Sequence, residues 1–358
     1  MVVTGEPQAL FAKLFVHYSV TDLWFQDEAG TEEEDEARAV CSVASSCRVL
    51  VSTSGGQTLY HPEDLPFAVR QMPDLYTAFR KAVERSSTVR PPVPAPEKLP
   101  PAPQPSTAFR EPLEEIAPAQ LLGEWAAPEV DPRGVMAFSG GETAGRRRLE
   151  RWAWEDDRLG TYKETRNGLL GESYSSKLSA WLANGSLSPR RIHAEVCRYE
   201  ERRTKNESTY WLIFELIWRD YYSFLMRKYG RRMFMLHGPM RRQMRWSQDR
   251  RVFARWCDGQ TGQPFIDANM RELAATGYMS NRGRQNVASY LTRGMGIDWR
   301  MGAQWFEHLL LDYDPASNWG NWTYAAGVGT DPRRDRVFNP ERQAQQYDPD
   351  GEYVRHWL

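Results

Sequence analysis

The sequence predicts a short α/β segment followed by a large all-helical domain. Three observations carry this. Two β-branched runs flank an acidic stretch within the first 86 residues. A proline-dominated stretch, VRPPVPAPEKLPPAPQPST, then breaks regular structure, because proline lacks an N–H and fixes φ. From Gly141 onward apolar residues recur at helical spacing almost without interruption.

Taken in order, KLFVHYSV and CRVLVSTS read as strands, and DEAGTEEEDEARAV between them as the opening of a helix. MPDLYTAFRKAVERS has helical spacing, with Arg80, Lys81 and Arg85 toward its end. Two strands are few for a doubly wound sheet. The expected boundaries are a partial α/β domain over 1–86, a linker over 87–118 and a helical domain over 119–358. EPLEEIAPAQLLGEW predicts a short helix, and the glycines of RGVMAFSGGETAGRRRL precede a helix through LERWAWEDD. Ser188 and Pro189 supply the cap and first turn for RRIHAEVCRYEERR. YWLIFELIWRDYYSFLMRKYG predicts a central helix, apolar on almost every face and stopped at Gly230. DANMRELAATG, NRGRQNVASYLTRG and WRMGAQWFEHLLLDY complete the helices.

Charged residues are 26% and apolar residues 41%, ordinary for a soluble globular chain of 358 residues. Fourteen tryptophans are many, and suggest an aromatic-lined interior or cofactor site, or simply a Trp-rich core. Residues 185–260 carry 17 Lys/Arg against 8 Asp/Glu in a chain whose net charge is −1. That asymmetry suits either a basic face for a polyanion or a salt-bridged helical surface. Cys41, Cys47, Cys197 and Cys257 form no CxxC pair or zinc spacing, so reduced thiols in a reducing compartment are expected. No run approaches the ~18 apolar residues of a membrane-spanning helix. MVVTGEPQALFAKLF lacks a secretory or transit pattern.

Polar groups inside apolar helices mark the candidate site. Glu215 lies mid-way along the central helix, where a buried carboxylate needs a partner. It either pairs with an arginine such as Arg219 or lines a cavity and accepts from a ligand. SYSSKLSAWLANGSLSPR offers Ser173, Ser175, Ser176 and Ser179 around Lys177, suited to a phosphate or to plain helix capping. MSNRGRQN places Asn281, Arg282, Arg284 and Gln285 between helices, and Arg284 is a natural mate for Asp312. LLLDYDPASNWGNWTY then adds Asp314, Asn318 and a set of rings. Together these suit a pocket with a phosphate at one end and a polar heterocycle at the other.

TYKETRNGLLG, STYWLIFELIWRDYY, DGQTGQPFIDANMRELAATGYMSNRGRQNVASYL, DWRMGAQWFEHLLLDYDPASNWGNW and GEYVRHWL resemble the flavin-binding domain of the cryptochrome/photolyase family. LYHPEDLPF, MPDLYTAFRK and SGGETAGRRRLERW resemble its DASH branch. The resemblance runs from about Leu59 to Leu358, apart from the proline linker. It implies an incomplete Rossmann-like antenna domain followed by a large all-helical domain holding a non-covalent FAD. Tyr162 and Ser175, Ser176, Lys177, Leu178 and Ser179 would hold the pyrophosphate. Arg284 would pair with Asp312 beside the isoalloxazine. Asp314 would lie near the ribityl and ring polar atoms, and Asn318 near N5. Glu215, Trp218 and Asn281 would line the cavity for a flipped pyrimidine dimer.

Trp322, Trp299 and Trp246 match the family's electron chain, with Trp256 an extra nearby ring. The implied activity is light-driven splitting of cyclobutane pyrimidine dimers, preferably in single-stranded DNA. Gln285 and Tyr324 stand where relatives that act on duplex DNA usually have Met and Trp. Arg231, Arg232, Arg241, Arg242 and Arg245 would supply the phosphate track for single-stranded DNA or RNA. The same features also suit a blue-light receptor without turnover. A monomer is expected. The family's leading strand–helix segment is not visible, so the chain reads as a fragment. Its antenna folate, 5,10-methenyltetrahydrofolate, is in doubt, because His17, Tyr18 and Ser19 replace a His-Lys-Glu run.

Overall fold

The computed structural model describes residues 3–101, 104, 117, 129–333 and 337–358. The helix expected over EPLEEIAPAQLLGEW lies outside the described residues, apart from Ala117. The chain divides into two compact units. The first is Met1–Gly56 with Val93–Glu129, the second Gln57–Pro92 with Val130–Leu358.

The first unit runs α1 (Pro7–His17), β1 (Asp22–Gln26), α2 (Thr31–Ser46) and β2 (Leu50–Ser54). β1 and β2 pair in parallel, Asp22 opposite Leu50 and Gln26 opposite Ser54. Two parallel strands joined through a helix form the βαβ unit from which Rossmann-like sheets are built. Glu32, Glu33 and Glu34 in the first turn of α2 complement its positive end.

One strand expectation is corrected. KLFVH, the first five residues of KLFVHYSV, finishes α1. Pro7 opens the first turn, and Phe11 and Phe15, four apart, pack with Ala44 and Val49. The strand is DLWFQ instead. Its half-exposed pattern, with Trp24 at 71% exposure, hides it from a search for apolar alternation.

The second unit is helical. α3 (Tyr76–Ser86) precedes α4 (Glu142–Glu150), α5 (Tyr162–Thr165), α6 (Ser179–Ala183), α7 (Pro189–Arg202) and α8 (Glu207–Tyr229). Then come α9 (Arg250–Cys257), α10 (Pro264–Thr276), α11 (Asn281–Ser289), α12 (Trp299–Leu309) and α13 (Pro315–Ala326). α14 (Pro340–Tyr347) and α15 (Glu352–Trp357) close the chain. α8 is the central helix. Asn206 caps it through the Ser208 and Thr209 N–H groups, and Gly230 ends it at φ 49°.

The packing boundary at 56/57 falls earlier than the boundary drawn from sequence at 86. The reason is local. Asp220 on α8, fully buried, accepts the Leu59 and Tyr60 N–H groups at 2.8 Å each. Tyr76 and Phe79 of α3 join the core formed with Tyr221 and Phe224. Burial pushes the Asp220 carboxyl up to about 7 despite its two peptide donors.

Two glycines set helix approach. A Cβ on Gly320 of α13 would overlap the Tyr222 ring of α8, and one on Gly302 of α12 would overlap the Trp322 ring. These close approaches bring α8, α12 and α13 together around one cavity.

Candidate functional site

The cavity has a volume of about 470 Å³, within the ~300–1,000 Å³ usual for small-molecule sites. It is walled by α5, the loop before α6, α8, α11 and α13. Tyr162, Ser175, Ser176, Lys177, Leu178, Ser179, Arg284, Asp312, Asp314 and Asn318 all border it. Glu215, Trp218, Asn281, Gln285, Trp322 and Tyr324 border it too. Trp299, Trp246, Arg231 and Arg232 do not.

Arg284 and Asp312 form one ionic pair of the cavity wall. Nη2 of Arg284 donates to both carboxylate oxygens at 3.0 and 2.9 Å, and Nε donates to the Met279 carbonyl. The Asp312 side chain is 1% exposed. Burial works against the Arg284 charge, but Asp312 holds it ionised, with its pKa raised. With Nε and Nη2 engaged, the guanidinium has a fixed plane at the wall.

α13 follows Asp314, whose Oδ1 accepts the Ser317 N–H at 2.7 Å while Oδ2 lies 3.9 Å from Arg219. Asp314 therefore caps a helix as well as bordering the cavity. One turn on, Asn318 donates Nδ2 to the Ala303 carbonyl at 3.0 Å. A carbonyl can only accept, so this bond assigns the amide end and fixes the carboxamide's orientation.

The serine loop lies across the cavity. Burial raises the Tyr162 hydroxyl pKa, while the Ser175 hydroxyl bonds to it and lowers it. Lys177 borders the cavity, with its ammonium engaged within the loop. Nζ donates to the Glu172 carbonyl at 3.0 Å and lies 3.3 Å from the Tyr174 ring centre. Burial, with Arg148 nearby, lowers its pKa to about 6. Its left-handed φ of 54° is rare outside glycine.

Glu215 does not pair with Arg219. It accepts from Arg166, and from Trp211 Nε1 at 3.1 Å. Arg219 instead donates to the Gln57 and Leu182 carbonyls. The Glu215 side chain is 29% exposed, and burial raises its pKa against the pull of Arg166. Trp218, one turn along α8, is stacked on Tyr76 at 3.5 Å and meets Tyr324 edge-on at 6.0 Å. Tyr324 is hydrogen-bonded to Arg333. Gln285 accepts from Arg282 at 2.9 Å, and exposed Asn281 begins α11.

Arg166 and Arg333 border the cavity and were missed from sequence, and Arg219, expected only as a mate for Glu215, borders it too. Arg166 lies within TYKETRNGLLG, one arginine among many in a helical chain, and no spacing sets it apart.

The tryptophans divide. Trp322 meets Phe306 at 5.1 Å and Trp256 at 6.2 Å, and Trp299 meets Trp319 at 5.6 Å. Gly302, against Trp322, follows Trp299 by three residues on α12. Trp246 is half-buried beside Ser247, which bridges to Ile297 just before α12. The basic residues lie apart from the cavity: Arg232 stacks on Tyr229 and Arg242 donates to the Gly327 carbonyl. No described helix is long and apolar enough to cross a membrane.

Comparison with known proteins matches residues 211–358 to the FAD binding domain of DNA photolyase and residues 1–99 to the DNA photolyase family. Cryptochrome DASH of Gloeobacter violaceus is 51% identical over 358 residues, the alignment covering 100% of this chain and 70% of that protein. Cryptochrome DASH of Synechocystis sp. is 48% identical, with 72% of that protein covered. The chloroplastic/mitochondrial cryptochrome DASH of Oryza sativa is 56% identical over 314 residues, 85% of this chain and 52% of that protein. The crystal structure of the Synechocystis cryptochrome superposes with a TM-score of 0.94 at 47% identity, covering 100% of this chain and 73% of that one. A bacterial class III photolyase from Agrobacterium tumefaciens superposes with a TM-score of 0.80 at 27% identity, covering 99% and 71%.

Proposed function

Because this chain belongs to the DASH branch of the cryptochrome/photolyase family, we propose that it is a FAD-dependent photoenzyme that splits cyclobutane pyrimidine dimers, preferentially in single-stranded DNA. The observation that carries this reading is one cavity with two kinds of wall. One wall is the serine loop and the Arg284–Asp312 pair; the other is the aromatic face of Trp218 and Tyr324 beside Glu215.

The donor set suits FAD. Hydroxyls of Ser175, Ser176 and Ser179 are matched to a pyrophosphate, and the fixed guanidinium of Arg284 to a polar ring edge. Asn318 borders the cavity with its amide nitrogen held by the Ala303 carbonyl, which leaves Oδ1 as the acceptor for a ring N–H. Bound in reduced form and lit by blue light, FAD would supply the electron that opens the dimer's cyclobutane ring and would take it back afterwards.

The protein's own work is binding, orientation and exclusion of water. Trp218 offers a rigid face for a pyrimidine, braced from behind by Tyr76. Glu215, whose pKa burial raises, can accept at a dimer's N–H edge and, where protonated, donate to its carbonyl. Asn281 offers both an amide donor and an acceptor at the mouth. Trp322, Trp299 and Trp246 are the proposed conduit between surface and cavity. The dimer must leave the stack to enter, and a single strand removes the unpairing cost.

One observation favours a receptor without turnover. Gln285 and Tyr324 are both engaged by arginines of this chain, Arg282 and Arg333, which weakens their hold on a lesion. The deciding experiment loads the protein with FAD, reduces it, and illuminates it with a dimer-containing oligothymidine. Blue-light-dependent loss of dimer is expected for the wild type and at least a tenfold slower loss for Glu215→Ala. Full flavin loading with no loss of dimer would leave only the receptor reading.

A further inference from the structure

Arg148 carries no role in the proposed chemistry and does not border the cavity, yet it is one of the most engaged side chains in the helical unit. It sits one turn after Gly145 on α4, 4% exposed. Its Nε donates to the Ser176 carbonyl at 2.9 Å. Its Nη2 donates to the Glu172 carbonyl at 2.9 Å and the Ser175 carbonyl at 3.1 Å, and its Nη1 pairs with the Glu172 carboxylate at 2.8 Å. Trp152 Nε1 takes the Ser173 carbonyl at 3.3 Å, and Lys177 Nζ shares the Glu172 carbonyl.

These bonds act on the carbonyls of the serine loop. A peptide is planar and trans, so the N–H of residue i+1 points opposite to the C=O of residue i. Drawing the Glu172, Ser173, Ser175 and Ser176 carbonyls toward donors behind the loop turns the following N–H groups the other way. The loop's other side, from Tyr174 to Ser179, is cavity wall. At its end, Lys177 at φ 54° followed by right-handed Leu178 makes the alternating backbone of an anion-binding nest.

We infer that Arg148 is a positioning residue: by holding the loop's carbonyls from behind, it presents the peptide N–H groups and serine hydroxyls to a pyrophosphate. This rests on the FAD reading above. It separates the two ends of the ligand, because Arg148 acts on the phosphate-binding loop and not on the Arg284–Asp312 end.

The test titrates wild type, Arg148→Lys and Arg148→Met with FAD and with riboflavin, which has the ring but no phosphate, by fluorescence. Thermal melts of the ligand-free proteins run alongside. Arg148→Lys keeps a cation but loses the planar fork. FAD affinity is expected to fall at least tenfold in Arg148→Lys and further in Arg148→Met, with riboflavin affinity within twofold of wild type. Should Arg148→Met fail to fold, the Lys variant decides. FAD affinity unchanged in a folded variant, or FAD and riboflavin weakened in equal proportion, would overturn the inference. A wild type that binds no FAD would overturn the underlying reading instead.

Discussion

Arg284 and Asp312 are 28 residues apart in sequence and share two hydrogen bonds in the fold. Taking both charges out of water is costly, and removing one partner leaves the other uncompensated. Asp312→Asn should therefore lower unfolding stability by about 3–5 kcal/mol, measured by urea titration of the flavin-free protein. A paired replacement, Arg284→Met with Asp312→Leu, should recover most of that loss while still failing to retain FAD. Asp312 lies in the turn between α12 and α13. This pairing was readable from sequence, because Arg284 and an aspartate just beyond the end of an apolar helix have few other mates. The Arg166 partner of Glu215 was not, since Arg219 one turn away satisfied the same rule locally.

Glu272 adds a pH dependence at the same scale. It is fully buried on α10, with Tyr353 donating to Oε2 at 2.6 Å. Burial pushes its carboxyl from the ordinary 4.5 up to about 7, against the Tyr353 hydroxyl and the charges of Lys177 and Arg284. Between those values the folded chain keeps a proton that the unfolded chain has lost. Stability therefore falls as pH rises through that window. Glu272→Gln lacks this term, so its stability relative to wild type should improve by about 2–3 kcal/mol from pH 5 to pH 8. A difference that stays constant with pH would contradict the assignment.

At the scale of elements, helix identity followed from apolar spacing, and ends followed from Gly230 and Gly277, both at positive φ. The first unit was harder. KLFVHYSV is β-branched at Val16 and Val20, but its apolar face follows the helical period set from Pro7. DLWFQ pairs on one edge with β2 and leaves Trp24 exposed, so no alternation marks it. The close packing of rings against glycines between helices was not readable. That Gly320 admits the Tyr222 ring is a property of two helices placed side by side. Gly320→Ala should force α8 and α13 apart and cost about 1–3 kcal/mol by thermal melt, with a matching loss of flavin affinity. Unchanged stability would mean the two helices are not in close contact.

For the whole molecule, the sequence motifs placed the family and most of one cavity wall, because those segments are long and carry polar groups where a core would reject them. They did not reveal the second line of residues behind the wall, such as Arg148 and Tyr76, since these act through geometry alone. The proposed function has the cavity join a flavin site to a lesion site built for unpaired strands. It is tested most directly by the rate of blue-light dimer loss per bound flavin, with the same thymine dimer in a single strand and in its duplex. Loss in the single strand is expected to be faster, by tenfold or more, with the difference narrowed when Gln285→Met and Tyr324→Trp are introduced together. Equal rates in both strands would contradict it.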